Sequence, residues 1–244
     1  MKAIILAAGI SARLRPLTDE TPKCLIQIGG KTILQRTLDN LITYNLKDLI
    51  IVTGYLEEQI KNCVRRNYPQ LEVTYIFNDK YDTTNNIYSL WLTKDFVKNN
   101  EILLMDSDIL FDKRILELLL KSDHPNCLAL RSDHQLGDEE IKVSLNEDKS
   151  ISEISKTVDL KDAFGESIGI EKFGSKFTKK LFKILDQMIV TQNKVNIFYE
   201  AAFQKAIDEG EKIFAVDIGS LKCIELDYPE DLEKANKEVI QYLD

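Results

Sequence analysis

The apolar positions of this chain change period along its length. Short unbroken apolar runs at 4–6 (IIL), 49–53 (LIIVT), 73–77 and 102–105 have the length and β-branched content of buried strands. Between them, Ile33, Leu34, Leu38, Leu41 and Ile42 recur at helical spacing, as do Leu56, Ile60, Cys63 and Val64, with Pro69 beyond the second set. A further helix is predicted over 85–97. Strand and helix alternating through short connections predict a parallel sheet covered by helices on both faces, with ligands gathered beyond the carboxyl ends of the strands. After Asp108 the order changes. A helix over 115–120 and a strand over 127–130 precede 140–156, where apolar and polar residues alternate about a turn at Asn146-Glu147-Asp148, the pattern of an antiparallel hairpin. A strand over 164–173, helices through Phe177–Met188 and Phe198–Ala206, strands at 213–217 and 222–226, and a helix opened by Pro229 complete the prediction.

The first strand opens into small residues, Ala7, Ala8 and Gly9, followed by Ser11, Arg13, Arg15 and, after Pro22, Lys23. A buried strand ending in such a loop lets backbone N–H groups approach a phosphate, and nearby cations match its charge. An ordinary surface loop with solvated arginines is the plainer alternative for the same residues. A second candidate is MDSD, 105–108, at the carboxyl end of an apolar strand, where paired carboxylates suit Mg²⁺. A third is NDKYDTTNNIYSLW, 78–91: Thr84, Asn85 and Asn86 fall where a helix begins, so they either cap it or present side chains and free N–H groups to a base.

The bulk numbers narrow the classes. With 244 residues the chain suits a single domain, and 44% hydrophobic residues supply a sizeable core. Lys plus Arg is 32 against 40 Asp plus Glu, a net charge of −8, which argues against nucleic acid as the main partner. Cys24, Cys63, Cys127 and Cys223 are scattered, and His124 and His134 have no metal-ligand spacing, so neither a disulfide framework nor a zinc site is expected. No signal-type segment or bilayer-spanning run is apparent, and the reading is a cytoplasmic protein with no membrane partner.

Taken whole, LAAG-x-S-x-RL-x-PLT-x-x-x-PK, from Leu6 to Lys23, resembles the signature of the sugar-phosphate and phosphocholine-type nucleotidyltransferases, with Ser11 where the family usually has a second glycine. The resemblance implies a Rossmann-like α/β fold with a mixed, mostly parallel central sheet. It implies one domain over 1–244, with 137–156 as a small hairpin insertion near the acceptor site. Leu6, Ala7, Ala8, Gly9 and Ser11 would cradle the nucleotide, Arg13 would hold the outgoing β/γ-phosphates, and Lys23 would neutralise charge at the α-phosphate and the attacking phosphate. Asp108 matches a metal ligand of the family, and IELDYPEDL resembles its EIDxPEDL, giving Asp227 as the second Mg²⁺ ligand. Asp106 is either a supporting partner or a turn cap. NN-x-YSL resembles the choline-phosphate cytidylyltransferase branch, which points Asn85, Asn86 and Ser89 at cytosine and favours CTP.

The acceptor is less determined. Choline would call for an aromatic cage, yet the hairpin carries Gly137-Asp138-Glu139-Glu140 where that branch has a tryptophan, and Trp91 reads as core. Glu140, Glu166 and Glu200 are candidates to pair with a primary ammonium or hydrogen-bond hydroxyls, and Lys142 to meet the acceptor phosphate. GESIGI and YE resemble cytidylyltransferases acting on aminophosphonates. The expected reaction joins CTP to a small phosphorylated or phosphonylated amine or alcohol, such as phosphocholine, phosphoethanolamine or 2-aminoethylphosphonate, releasing pyrophosphate. Two alternatives stand beside it: a sugar-1-phosphate nucleotidyltransferase using UTP, dTTP, CTP or GTP, and a non-catalytic nucleotide-binding module. The oligomeric state is left open, a homo-oligomer included.

Overall fold

The apolar run after Met1 forms strand β1 (Lys2–Ala7), and its alternate side chains feed two different cores. Ile4 and Leu6 point to one face, and Ala3, Ile5 and Ala7 to the other. The computed structural model describes every residue except Lys98, His134 and Asp244, so the expectation for His134 lies outside the described residues. A two-strand ribbon, β2 (Gln27–Ile28) and β3 (Lys31–Thr32), leads into α1 (Ile33–Thr43). There Thr32 and Gln35 cap reciprocally: Gln35 N–H donates to Thr32 Oγ1 at 3.1 Å, and Thr32 N–H to Gln35 Oε1 at 2.9 Å. β4 (Asp48–Thr53), α2 (Glu57–Asn67) and β5 (Glu72–Phe77) follow the periodic pattern closely.

The helix expected over 85–97 is instead two, α3 (Asn86–Leu92) and α4 (Lys94–Val97). The break falls at Thr93, whose hydroxyl donates to Leu90 C=O at 2.8 Å and competes with helix continuation. β6 (Ile102–Asp106), β7 (Ile109–Phe111), α5 (Arg114–Lys121) and β8 (Cys127–Arg131) come next, then the hairpin β9 (Lys142–Leu145) and β10 (Ile151–Ser155). β11 (Gly165–Phe173), α6 (Ser175–Asp186), α7 (Glu200–Asp208), β12 (Phe214–Asp217), β13 (Cys223–Glu225) and α8 (Pro229–Lys234) complete the order.

The main sheet runs β10-β9-β11-β6-β1-β4-β5, with β8 paired to β11 and β12 to β8. β6, β1, β4 and β5 are parallel, as is β12 with β8, while β11 is antiparallel to β6, β8 and β9. The hairpin therefore joins the main sheet through β11. One core packs α3, α6 and α7 against the sheet, and a second packs α1, α2 and α5 against its other face. β7 lies off this sheet in a separate antiparallel ribbon with β13, in register Ile109 to Glu225. No helix of the described residues is long and apolar enough to cross a membrane.

Candidate functional site

A cleft of about 940 Å³ opens where β1 and β6 end, the position expected for a ligand on a parallel sheet. Leu6, Ala7, Ala8, Gly9 and Ser11 line it, with Arg13 and Lys23 beyond. Open space surrounds Gly9 where a side chain would stand. Ser11 adopts φ +55°, a left-handed conformation that disfavours a Cβ. Its carbonyl is pinned by the Thr18 hydroxyl at 2.9 Å, which fixes the loop. Arg15 is turned away to Asp19, 3.1 Å distant, and does not line the cleft.

Lys23 is buried, and its Nζ lies 2.6 Å from Asp108 Oδ2 and 2.7 Å from Asp227 Oδ1. Burial opposes its charge, but Asp108, Asp227 and Glu225 outweigh that cost and raise its pKa. The two aspartates meet because the β7–β13 ribbon aligns the chain on both sides of them; Leu226 N–H donates to Asp108 C=O at 3.2 Å. Asp231, in the first turn of α8, then accepts the backbone N–H groups of Asp227 (3.0 Å) and Tyr228 (2.8 Å), so the PED of the late motif orients its aspartate. Arg13 reaches Asp227 Oδ2 at 3.1 Å, Glu139 at 3.5 Å and the Tyr228 hydroxyl at 3.2 Å.

Asp108, Glu225 and Asp227 place carboxylate oxygens within 4.8 Å of one another. Asp108 Oδ1 is buried with no hydrogen-bond partner among the described residues, so a buried acceptor oxygen remains available to a cation. An all-oxygen donor set of this kind fits Mg²⁺. Glu225 faces the open cleft yet is ringed by protein; burial, then Asp108 and Asp227, hold its pKa well above the ordinary carboxylate range.

Asn85, Asn86 and Ser89 line the same cleft at the start of α3. Asn85 caps the helix, accepting from Asn86 N–H at 2.7 Å. The Ser89 hydroxyl accepts from Asn78 Nδ2 at 3.1 Å, and Asn78 is itself buried. Asn86 Oδ1 accepts the N–H of Tyr199 at 2.9 Å and so ties this helix start to the turn that presents Glu200.

Of the four acceptor candidates, three line the cleft: Glu140, Glu166 and Glu200. Glu166 is paired with Arg131 at 2.6 Å, and Glu140 accepts Gly137 N–H at 2.8 Å, shaping its own turn. Lys142 is not among the lining residues. It is buried, and its ammonium donates to the carbonyls of Gly137 (2.9 Å) and Glu140 (3.5 Å), so in this structure it braces the hairpin approach. Glu200 differs from the rest. It is 5% exposed, it begins α7, and its Oε2 has no hydrogen-bond partner among the described residues. Burial pushes its pKa up to about 7.

The small-residue loop after β1, the carboxylates and the start of α3 thus line one cleft. A family model described as nucleotidyl transferase matches residues 2–136, more than half of the chain. The chain belongs to the nucleotidyl transferase family.

Within that family, the choline-phosphate cytidylyltransferase of Streptococcus pneumoniae is 42% identical over 107 residues, 44% of this chain and 45% of that enzyme. The match thus spans less than half of the pneumococcal protein. A CTP:phosphoglutamine cytidylyltransferase of Campylobacter jejuni is 27% identical over 96% of this chain and 98% of its own length. Among solved structures, the CTP:phosphocholine cytidylyltransferase of Streptococcus pneumoniae superposes with a TM-score of 0.78 at 27% identity, covering 96% of this chain and 97% of that one. Ser11, at a position where the family signature carries glycine, keeps the glycine-like backbone conformation without the glycine.

Several site residues escaped the sequence reading. Glu225 was legible only as the glutamate two before Asp227, and nothing in its spacing marked it as a third carboxylate. Tyr199 is fully buried, and its hydroxyl donates to Asp106 Oδ2 at 2.9 Å, at the end of β6 where Asp106 lines the cleft. Glu139 and Lys156, 3.1 Å apart, line the cleft from the two sides of the hairpin. Trp91 packs against the core and donates Nε1–H to Asp186 at 2.9 Å, in keeping with its reading.

Proposed function

We propose that this protein is a cytidylyltransferase that joins CTP to a small phosphorylated or phosphonylated amine. The observation that carries the reading is Lys23, held between Asp108 and Asp227 in the cleft that also contains Asn85, Asn86 and Ser89. An oxygen of the acceptor's phosphate attacks the α-phosphorus of CTP. A new P–O bond forms, the bond to the β-phosphate oxygen breaks, and pyrophosphate leaves. Such a reaction is accelerated by positioning and by stabilising charge.

The backbone of residues 7–11 takes the triphosphate, Arg13 neutralises the departing β/γ-phosphates, and Lys23 draws the attacking and α-phosphates together. Asp108 and Asp227, with Glu225 beside them, would hold Mg²⁺, which supplies charge neutralisation to the triphosphate when bound. The start of α3 meets the base. Glu200 takes the acceptor's ammonium, because its Oε2 is a buried carboxylate oxygen on a cleft-lining residue that has no donor among the described residues. Relatives named for choline phosphate and phosphoglutamine, both phosphorylated nitrogen compounds, support a nitrogen-containing acceptor.

Pyrophosphate release, measured across the common nucleoside triphosphates against phosphoethanolamine, phosphocholine, 2-aminoethylphosphonate and sugar 1-phosphates, tests the reading. Turnover is expected with CTP and an amine phosphate, abolished by EDTA and lowered about 10²–10³-fold in Lys23→Ala. Turnover confined to UTP and glucose 1-phosphate would assign the sugar-phosphate branch instead. Turnover unchanged in Lys23→Ala would refute the catalytic assignment.

A further inference from the structure

Quaternary ammonium ions are recognised by bare aromatic faces, because they have no N–H to donate. Among the described residues, the aromatic side chains lining the cleft are Tyr81, Phe198 and Tyr228. Tyr81 is engaged with Tyr55 and Phe77, its ring centroid 6.2 and 6.5 Å from theirs, beside the start of α3. The Tyr228 ring lies beneath the Arg13 guanidinium, with Cζ 5.2 Å from the ring centroid. Phe198, 40% exposed and adjacent in sequence to the Tyr199-Glu200 turn, carries the Lys156 ammonium 4.8 Å from its ring centroid. Tyr228 and Phe198, the two cleft rings outside the Tyr55–Phe77–Tyr81 group, therefore each already carry a cation of the protein on one face.

Lys156 is not a loose surface lysine in this position. Its Nζ is 3.1 Å from Glu139, which in turn meets Arg13 at 3.5 Å, so the lysine is anchored from the hairpin side of the cleft. It also stands, with Ile141, Phe198 and Glu200, in the wall shared by the cleft and a neighbouring cavity of about 1020 Å³. Glu200 Oε2, close to Phe198 in the chain, is buried and lacks a donor among the described residues. A primary ammonium offers that oxygen a charge-assisted hydrogen bond; a trimethylammonium leaves it unsatisfied.

We propose that Lys156 is a specificity-determining residue: by covering Phe198 it closes the aromatic face to quaternary ammonium groups and leaves Glu200 to select acceptors with a primary ammonium. The proposal rests on the acceptor reading above and deepens it. Ligand-detected NMR titration of phosphoethanolamine and phosphocholine tests it without requiring turnover. The wild type is expected to favour phosphoethanolamine. In Lys156→Met the ratio of phosphocholine to phosphoethanolamine affinity should rise about tenfold as the ring is freed, and Lys156→Arg should keep the wild-type ratio. An unchanged ratio in Lys156→Met, or a wild type that favours phosphocholine, would overturn the proposal. Wild-type phosphoethanolamine affinity in Glu200→Gln would refute the acceptor reading instead, and a shifted ratio in Lys156→Met would still show the Phe198 face in use.

Discussion

Glu200→Gln replaces a buried carboxyl by a neutral side chain of nearly the same shape, and its effect on stability should grow more favourable as pH rises. In the folded protein burial is the main cause that lifts the Glu200 pKa from the ordinary 4.5 to about 7. The folded state thus holds this proton more tightly than the unfolded state. The stabilisation that results is complete below about pH 4.5 and is lost as pH rises through about 7. A difference of that size, at about 1.36 kcal/mol per pH unit, amounts to about 3 kcal/mol at pH 8.5. The glutamine variant carries no such penalty. Relative to wild type it should gain up to about 3 kcal/mol between pH 5 and pH 8.5, or about 6–12 °C in Tm for a chain of this length. Differential scanning fluorimetry of both proteins at a series of pH values in the absence of substrate measures the gain directly. A Tm difference between variant and wild type that is constant from pH 5 to 8.5 would refute the reasoning, because Glu200 would then titrate alike in the folded and unfolded chain.

Two further outcomes concern the loop and the helix that frame the cleft. Ser11→Gly removes a Cβ from a φ of +55°, so it should stabilise the protein by up to about 1 kcal/mol despite the greater flexibility of glycine in the unfolded chain, as read by urea unfolding. A loss of stability would mean that the serine hydroxyl contributes more than its backbone costs. Asn86→Ala deprives the Tyr199 N–H of its acceptor and should cost about 1–3 kcal/mol. In steady-state assays, KM for the acceptor should rise in this variant together with KM for CTP. A change confined to CTP would separate the base contact from the support of Glu200.

The sequence made the strands and most helices legible because their apolar positions keep a fixed period over four or more residues. It failed where a single side chain decides, as at Thr93, whose hydroxyl ends a helix that the apolar pattern alone would continue. Strand β11 shows the limit from another side. GESIGIEKF carries two glutamates and a lysine, yet all nine residues are buried because the strand pairs with β6, β8 and β9. Lys142 and Glu200 are both buried charged residues near one cleft. Backbone carbonyls accept from the ammonium of one, and among the described residues no donor reaches an oxygen of the other. No local pattern distinguishes them, because the difference lies in the path of the main chain around each. Asp108 and Asp227 could be paired from sequence only through their resemblance to known motifs, since 119 positions separate them.

That separation gives the site a place in time. The ribbon that sets Asp227 beside Asp108 needs β13, which is translated long after β7. At about 5–20 residues per second, some 6–24 s pass between synthesis of the two aspartates. During that interval β1, β4, β5 and β6 can already assemble as a parallel sheet while Lys23 has only one of its two carboxylate partners. A nascent chain would therefore acquire the shape of its nucleotide cradle well before it acquires its chemistry.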